Sequence, residues 1–159
     1  MKRPCTVRFL TLLRQPRGRQ RLVLEAAWEL LRAWCLVRFR AFRSYAGDLG
    51  TPQSGAFESG QSPPDPMLLR DVRWAVEAVN RTFGGHFTCL MQGMAGKAML
   101  NRRGVANTLV LGARLGGETG PSDDAGMSAH AWLCAGHVIL LGGEARAGFV
   151  PVTSYHSAP

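Results

Sequence analysis

A helix that begins at a cysteine decides the fold, and its stretch, residues 88–104, reads TCLMQGMAGKAMLNRRG. Thr88 is a residue type whose side-chain oxygen caps helix N-termini, and Gly104 is a residue type that ends helices. The spacing between them predicts a helix over 89–103. Cys89 is then its first residue, at the end where backbone N–H groups have no partner within the helix.

Downstream of this helix the apolar pattern changes to that of strands. Residues 108–111 form a short apolar run that is typical of a buried strand. Residues 128–133 and 138–141 flank a tight Ala-Gly-His turn, which predicts an antiparallel pair with His130 in its first strand. Since helices precede an antiparallel sheet, the predicted fold class is α+β.

Two further helices are predicted upstream. Residues 19–45 repeat apolar side chains at helical spacing, and Cys35 is expected to be a packing residue of this helix. The next helix begins at Asp65-Pro66, an N-cap acceptor followed by a proline, and ends at Gly84-Gly85. The Gly, Ser and Pro content of residues 45–66 predicts a loop between them.

The composition indicates a folded domain with a basic N-terminal arm. Of 159 residues, 46% are apolar and 19% are charged, which excludes a wholly disordered chain. The net charge is +8, and residues 1–46 hold eleven basic residues against two acidic ones. We therefore expect a basic helical segment over 1–46, a flexible linker over 47–66 and a core domain over 67–159.

Three roles for the basic arm are compatible with its sequence. The arginines are not interleaved with exposed aromatic residues and match no DNA-binding motif, so no nucleic-acid partner is expected. Trp28 and Trp34 with arginine-rich flanks would suit peripheral contact with a membrane. A helix docked on the core with a solvated arginine face is favoured over both, with a partner- or leader-binding role for the charges in addition. Irregular cysteine spacing and the lack of a signal-peptide core predict a reduced, cytoplasmic protein.

Cys89 and His130 are the candidate catalytic residues. The helix dipole and the unpaired N–H groups favour a thiolate at Cys89, which would make it a nucleophile. Such a nucleophile needs a base, and His130 lies between small residues that leave its imidazole accessible. Taken singly, a buried cysteine and a structural histidine are the simpler interpretations. A helix N-terminal cysteine followed by a sheet histidine is, however, the order of papain-like and transglutaminase-like folds.

Other chemistries have less support in the sequence. A metal site at His130, Cys134 and His137 would lack a fourth ligand and any motif spacing, so no metal is expected. Phosphate-binding, dinucleotide-binding and serine-hydrolase motifs are absent, and no cofactor is expected.

The stretch from Val72 to Trp132 resembles the leader peptidases of lasso-peptide biosynthesis, which have a transglutaminase-like core. Five short motifs in a fixed order carry the resemblance: RWAV at 73–76, TCL at 88–90, MLNRRGV at 99–105, TLVLG at 108–112 and AHAW at 129–132. The resemblance implies a helix carrying the cysteine, packed on a small antiparallel sheet carrying the histidine, with an N-terminal helical extension.

The resemblance also implies an activity and a set of partners. The activity is that of a cysteine peptidase that removes the leader from a ribosomally made lasso-peptide precursor. The partners are the leader region of that precursor, a separate leader-recognition protein and an ATP-dependent macrolactam cyclase. The alternative is a catalytically inactive or acyl-transferring transglutaminase-like protein that serves as a basic binding module.

The resemblance assigns roles residue by residue. Cys89 matches the nucleophile and His130 the general base. The backbone N–H of Cys89 is a natural oxyanion donor, and Gln92 is the candidate for a second donor. The sequence departs from the family at Cys134, where a Glu often follows the Ala-Trp-hydrophobic run.

The third catalytic residue is predicted to be Glu144. It is the only carboxylate after His130, and an antiparallel return of the chain would bring it beside the imidazole. An exposed loop glutamate is the alternative interpretation. Asp123 and Asp124 are further candidates, but a Gly-rich loop would orient an imidazole poorly.

Overall fold

The computed structural model describes residues 16–54, 65–114 and 128–158. Residues 1–15 of the predicted basic segment and the Gly-rich loop that contains Asp123 and Asp124 lie outside these residues. The three described helices are α1 (Arg17–Phe39), α2 (Pro66–Thr82) and α3 (Cys89–Asn101). The five strands are β1 (Thr51–Ser54), β2 (Asn107–Arg114), β3 (Ser128–Ala135), β4 (Val138–Leu141) and β5 (Val150–Ser157). They form one antiparallel sheet in the order β1-β5-β2-β3-β4. The predicted α+β class with an N-terminal helix is confirmed.

Both predicted caps are present. The Asp65 carboxylate accepts a hydrogen bond from the Met67 N–H at 2.9 Å, so α2 begins at Pro66 as predicted. The Thr88 hydroxyl accepts from the Met91 N–H at 3.4 Å, so α3 begins at Cys89. Each cap satisfies a backbone donor that the helix itself leaves unpaired, which fixes where the helix starts.

Helix α3 lies very close to the sheet, because glycines face the strands. A Cβ at Gly93 would come within 2.6 Å of the Leu109 side chain. A Cβ at Gly96 would come within 2.8 Å of the Leu133 side chain. The two glycines therefore let the cysteine-bearing helix approach β2 and β3, and this approach positions the site.

Helix α1 docks on α3, as the favoured interpretation predicted. Its inner face buries Ala26, Leu30 and Ala33 in the core. Ion pairs extend the contact: Glu25 bonds both arginines that follow α3, with Arg103 Nη2 at 2.6 Å and Arg102 Nε at 2.8 Å. The basic segment is thus part of the folded domain over its described residues.

Three details differ from the prediction. Helix α1 ends at Phe39 rather than 45, and two short 3-10 turns follow it. Cys35 lies on the exposed face of α1, so its assignment as a packing residue is wrong. The linker predicted over 47–66 is wrong at Thr51–Ser54, which pairs with β5 from Thr51↔His156 to Ser54↔Thr153. Strand β1 is short and polar, so the sequence shows no alternation of apolar residues there. Hydrogen bonds to the backbone of β5 are what hold it in the sheet.

None of the helices in the described ranges combines the length and the apolar character that crossing a bilayer requires.

Candidate active site

A cleft of about 710 Å³ contains both candidate catalytic residues. Cys89 enters it from the first turn of α3, and His130 enters it from β3. The chain from Ile139 to Ala145, which includes the end of β4, forms a third side, and α2 forms the fourth. Residues that are far apart in the sequence therefore share one solvent-accessible space.

Cys89 is a free, half-buried thiol at the N-terminus of α3. As the first residue of the helix, it has a backbone N–H with no acceptor within the helix. The helix dipole adds positive potential at the same place, which stabilises negative charge on sulfur or on an adjacent oxygen. The local geometry therefore suits a thiolate nucleophile.

The carbonyl oxygen of Gly142 fixes the orientation of His130. It lies 2.7 Å from His130 Nε2. A carbonyl oxygen can only accept a hydrogen bond, so Nε2 carries the proton of the neutral ring and Nδ1 keeps its lone pair. The rings of Trp132 and Phe149 lie 6.1 and 5.2 Å from the imidazole, centroid to centroid, and restrict its rotation.

Gly142 can present this carbonyl because it is a glycine. Its φ is +76°, a conformation that L side chains rarely adopt. A Cβ at this position would also overlap the carbonyl oxygen of Ala131 on the neighbouring strand. The turn after β4 therefore requires glycine at position 142.

Glu144 lines the same cleft but makes a different contact from the one predicted. Its side chain is 95% exposed and pairs with Arg73, whose Nη2 lies 3.7 Å from Oε1. The acceptor that sequence reasoning assigned to Glu144 is supplied in the structure by the backbone of Gly142. The structure thus brings Cys89, His130 and Glu144 into one cleft, and the hydrogen bond to the imidazole comes from elsewhere.

Two amide side chains in the cleft hold the turn that precedes Cys89. Gln92 Nε2 donates to the Phe87 carbonyl oxygen at 2.9 Å. Asn80, near the end of α2, accepts the Phe87 N–H with Oδ1 at 3.1 Å. Phe87 itself packs on the core, so the residues just before Cys89 are fixed by two helices.

The two amides differ in what they leave for a ligand. The Gln92 amide, predicted as an oxyanion donor, already uses its nitrogen as a donor to Phe87. Asn80 uses only its oxygen, and its Nδ2 has no hydrogen-bond partner within the part of the chain that the structure describes. Sequence reasoning missed Asn80, because its contact to Phe87 crosses the Gly84-Gly85 turn and leaves no periodic signal.

The remaining described thiols are less suited to catalysis. Burial in β3 raises the pKa of Cys134 to about 11, and the nearby Arg146 opposes this shift only in part. Cys134 therefore stays a protonated thiol at neutral pH. The metal site weighed for His130, Cys134 and His137 is not assembled: in residues 16–54, 65–114 and 128–158, no three His, Cys, Asp or Glu side chains gather as a metal site would require.

A cysteine at a helix N-terminus that shares a cleft with a histidine on an antiparallel sheet is the arrangement of papain-like and transglutaminase-like proteins. A family model described as the transglutaminase-like superfamily matches residues 33–154, from within α1 to within β5. The chain belongs to this superfamily, which includes cysteine peptidases. No curated protein and no solved structure matches the chain.

Proposed function

We propose that the protein is a cysteine peptidase that cleaves the leader from a lasso-peptide precursor. The observation that carries the proposal is the shared cleft, in which Cys89 begins a helix and His130 has its tautomer fixed by the Gly142 carbonyl. The superfamily match supports the fold and the type of nucleophile. The five ordered motifs support the choice of substrate.

The cleft residues account for each step of hydrolysis. His130 Nδ1 takes the thiol proton, and the Cys89 sulfur attacks the scissile carbonyl carbon to form a tetrahedral intermediate. As the C–N bond breaks, the imidazolium returns that proton to the departing amine, which leaves an acyl-enzyme. His130 then takes a proton from water as the water oxygen attacks the acyl carbon. The C–S bond breaks and releases the leader with a C-terminal carboxyl group, and the imidazolium returns its proton to the Cys89 sulfur.

Two donors are proposed for the oxyanion of the tetrahedral intermediate. The first is the backbone N–H of Cys89, at the positive end of the helix dipole. The second is Asn80 Nδ2, because the Asn80 oxygen is held by the Phe87 N–H and the nitrogen is left available in the cleft. This assignment replaces Gln92, whose amide nitrogen bonds the Phe87 carbonyl.

The proposed partners follow from the proposed substrate. They are the leader region of the precursor, a separate leader-recognition protein and an ATP-dependent cyclase that closes the ring after cleavage. We place this chemistry in the cytoplasm, where precursors are made and ATP is available.

The test is to incubate the protein with the lasso-peptide precursor and the leader-recognition protein and to follow peptide masses. Two products whose masses sum to the precursor plus one water support the peptidase. Cys89→Ala should release no leader, whereas Cys5→Ala, in the N-terminal segment, should retain most of the wild-type rate. A leader joined through its C-terminal carbonyl to an added amine would instead assign acyl transfer, and an intact precursor would contradict both activities.

A further inference from the structure

The outward face of α1 carries a line of exposed apolar side chains, which we call the outer stripe. The outer stripe consists of Leu24, Trp28, Leu31, Cys35 and Phe39. Their spacing of four, three, four and four residues confines them to a sector of about 80° on an α-helix, opposite the buried Ala26 and Leu30. All five side chains are exposed, so no other described part of the domain packs over this sector.

The exposure of the outer stripe is high for an apolar surface. Leu24 and Trp28 are each 65% exposed, and Phe39 is 70% exposed. The stripe extends about 22 Å along the helix, at 1.5 Å per residue. Continuous apolar surface of this kind commonly marks a site of interaction with another molecule.

The charges around the outer stripe are of one sign. Arg17 and Arg21 lie on the same line at its N-terminal end, and Arg32 and Arg38 border it. The two acidic residues of α1 point the other way. Glu25 bonds Arg102 and Arg103, and Glu29 is buried and bonds Arg102 Nη1 at 2.9 Å. Arg32 Nη1 lies 3.6 Å from Glu29 Oε2, whereas Arg17, Arg21 and Arg38 form no ion pair with any residue that the structure describes. The outward face therefore combines an apolar seam with positive charge that is only partly compensated.

We propose that the outer stripe docks an amphipathic helix of a partner protein whose apolar seam is flanked by Asp and Glu. A seam with a spacing close to 3.5 residues is the pattern by which one helix packs against another. Carboxylates beside the partner's seam would meet the bordering arginines, and this complementarity selects the partner. The proposal concerns a surface of α1 and does not depend on the chemistry at Cys89.

Charge argues against three other occupants. A second copy of the chain would bring arginines against arginines. Residues 1–15 contain four basic residues and no acidic one, so they would be repelled in the same way. A bilayer that accepted Trp28 and Leu31 would also face Arg17 and Arg21, which lie on the same line of the helix, and would draw two guanidinium groups toward its hydrocarbon.

Cys35 gives the proposal a native reporter, because it lies within the outer stripe and is exposed. The probe is a synthetic helical peptide with a leucine seam flanked by Glu, and the control peptide carries Lys in place of each Glu. The rate of alkylation by iodoacetamide is followed at each thiol by peptide mapping, in a Cys5→Ser background. At a concentration ten times its Kd, the Glu peptide should slow alkylation of Cys35 about tenfold. The Lys peptide should have no effect, and Cys89 should react at the same rate throughout.

Matched variants separate docking from other effects. Leu31→Asp should abolish the protection of Cys35, whereas Val152→Asp, at an exposed position of β5, should preserve it. Both positions are exposed, so both variants should keep the wild-type circular dichroism spectrum. Protection should also persist in Cys89→Ala, which cleaves nothing under the proposed function. If the peptide protects Cys35 while the precursor stays intact, the docking proposal is supported and the proposed peptidase function is contradicted.

Four results would overturn the proposal. Slower alkylation at Cys89 instead of Cys35 would place the peptide in the cleft. Protection of Cys35 by phosphatidylserine vesicles but not by the Glu peptide would assign the face to lipid. A dimer in sedimentation that Leu31→Asp dissociates would assign it to a second copy. Faster alkylation of Cys35 after removal of residues 1–15, with no peptide added, would assign it to the chain's own N-terminus.

Discussion

The carbonyl oxygen of Gly142 determines which nitrogen of His130 carries the proton. Sequence reasoning identified the correct segment, since the chain does return beside the imidazole after β4. It assigned the acceptor to the Glu144 side chain, because a carboxylate is visible in a sequence and the direction of a backbone carbonyl is not. The positive φ of Gly142 is what turns that carbonyl toward the ring.

Gly142→Ala should lower kcat about ten- to a thousandfold with little change in KM. The added methyl group would overlap the Ala131 carbonyl and move the acceptor away from His130, so the proton would no longer be fixed on Nε2. Steady-state kinetics on the precursor measures the effect. Gly143→Ala is the matched control, because its added methyl group would approach the Ile139 side chain at 3.0 Å and no backbone atom.

Glu144→Gln should keep kcat within about twofold of the wild-type value, since removing a weak surface pair changes little. The side chain is exposed and its contact is to Arg73 at 3.7 Å. A tenfold or larger loss of kcat would instead support Glu144 as the third catalytic residue that the sequence predicts. Comparison with Glu77→Gln, on the α2 side of the same cleft, controls for a general change in charge.

Asn80→Asp should separate the two proposed uses of this side chain. Aspartate keeps the oxygen that accepts the Phe87 N–H but lacks the amide nitrogen. If Nδ2 stabilises the oxyanion, kcat should fall about a hundred- to a thousandfold, the usual cost of losing such a donor. The alkylation rate of Cys89, a reaction without an oxyanion, should change much less. Equal losses in both measurements would mean that Asn80 only positions the turn.

At the scale of whole elements, local chemistry determined what the sequence could predict. The starts of α2 and α3 were predicted correctly because a cap and its first turn lie within four residues. Strands β1 and β5 were missed because they pair with each other across about a hundred residues of sequence, and no local pattern indicates this pairing. Strand β5 contains Pro151 and is half-polar, so its alternation is weak. The end of α1 was misplaced because no glycine or proline stops it at Phe39.

The contact between α1 and α3 should weaken in acid. The pKa of Glu25 is lowered by its hydrogen bonds to Arg103 and Arg102, so its carboxylate binds a proton less readily in the folded state than in the unfolded chain. The stabilisation is present above the usual pKa of a glutamate and is lost as the pH falls below it. Glu25→Gln should therefore reduce the dependence of the unfolding free energy on pH in the acid range. Denaturant titrations at a series of pH values measure this, and an unchanged slope would contradict it.

Across the whole molecule, Lys97 links the cysteine-bearing helix to two neighbouring strands of the sheet. Its ammonium group is only 2% exposed, and Nζ donates to Asn107 Oδ1 on β2 and to the Tyr155 carbonyl on β5, each at 3.0 Å. Asn107 in turn donates to Asn101 Oδ1 at the end of α3, at 2.7 Å. This polar network crosses the centre of the domain, on the side of α3 away from the cleft. The sequence does not reveal this network, because a single lysine in an apolar helix has the same pattern whether its side chain is buried or exposed to solvent.

Burial lowers the pKa of Lys97 to about 8, well below that of a lysine in the unfolded chain. Between these two values the unfolded chain binds more protons than the folded one, so the stability contributed by this residue rises with pH. Below about pH 8 the lysine is charged in both the folded and the unfolded state, so its contribution to the unfolding free energy no longer changes with pH. Lys97→Met should therefore remove a gain in unfolding free energy that the wild type shows as the pH is raised above 8. Arg102→Lys, a change at a partly exposed residue after the same helix, should keep that gain. Urea titrations from neutral to alkaline pH measure the difference, and parallel curves for Lys97→Met and the wild type would show that the ammonium group keeps its ordinary pKa in the folded domain.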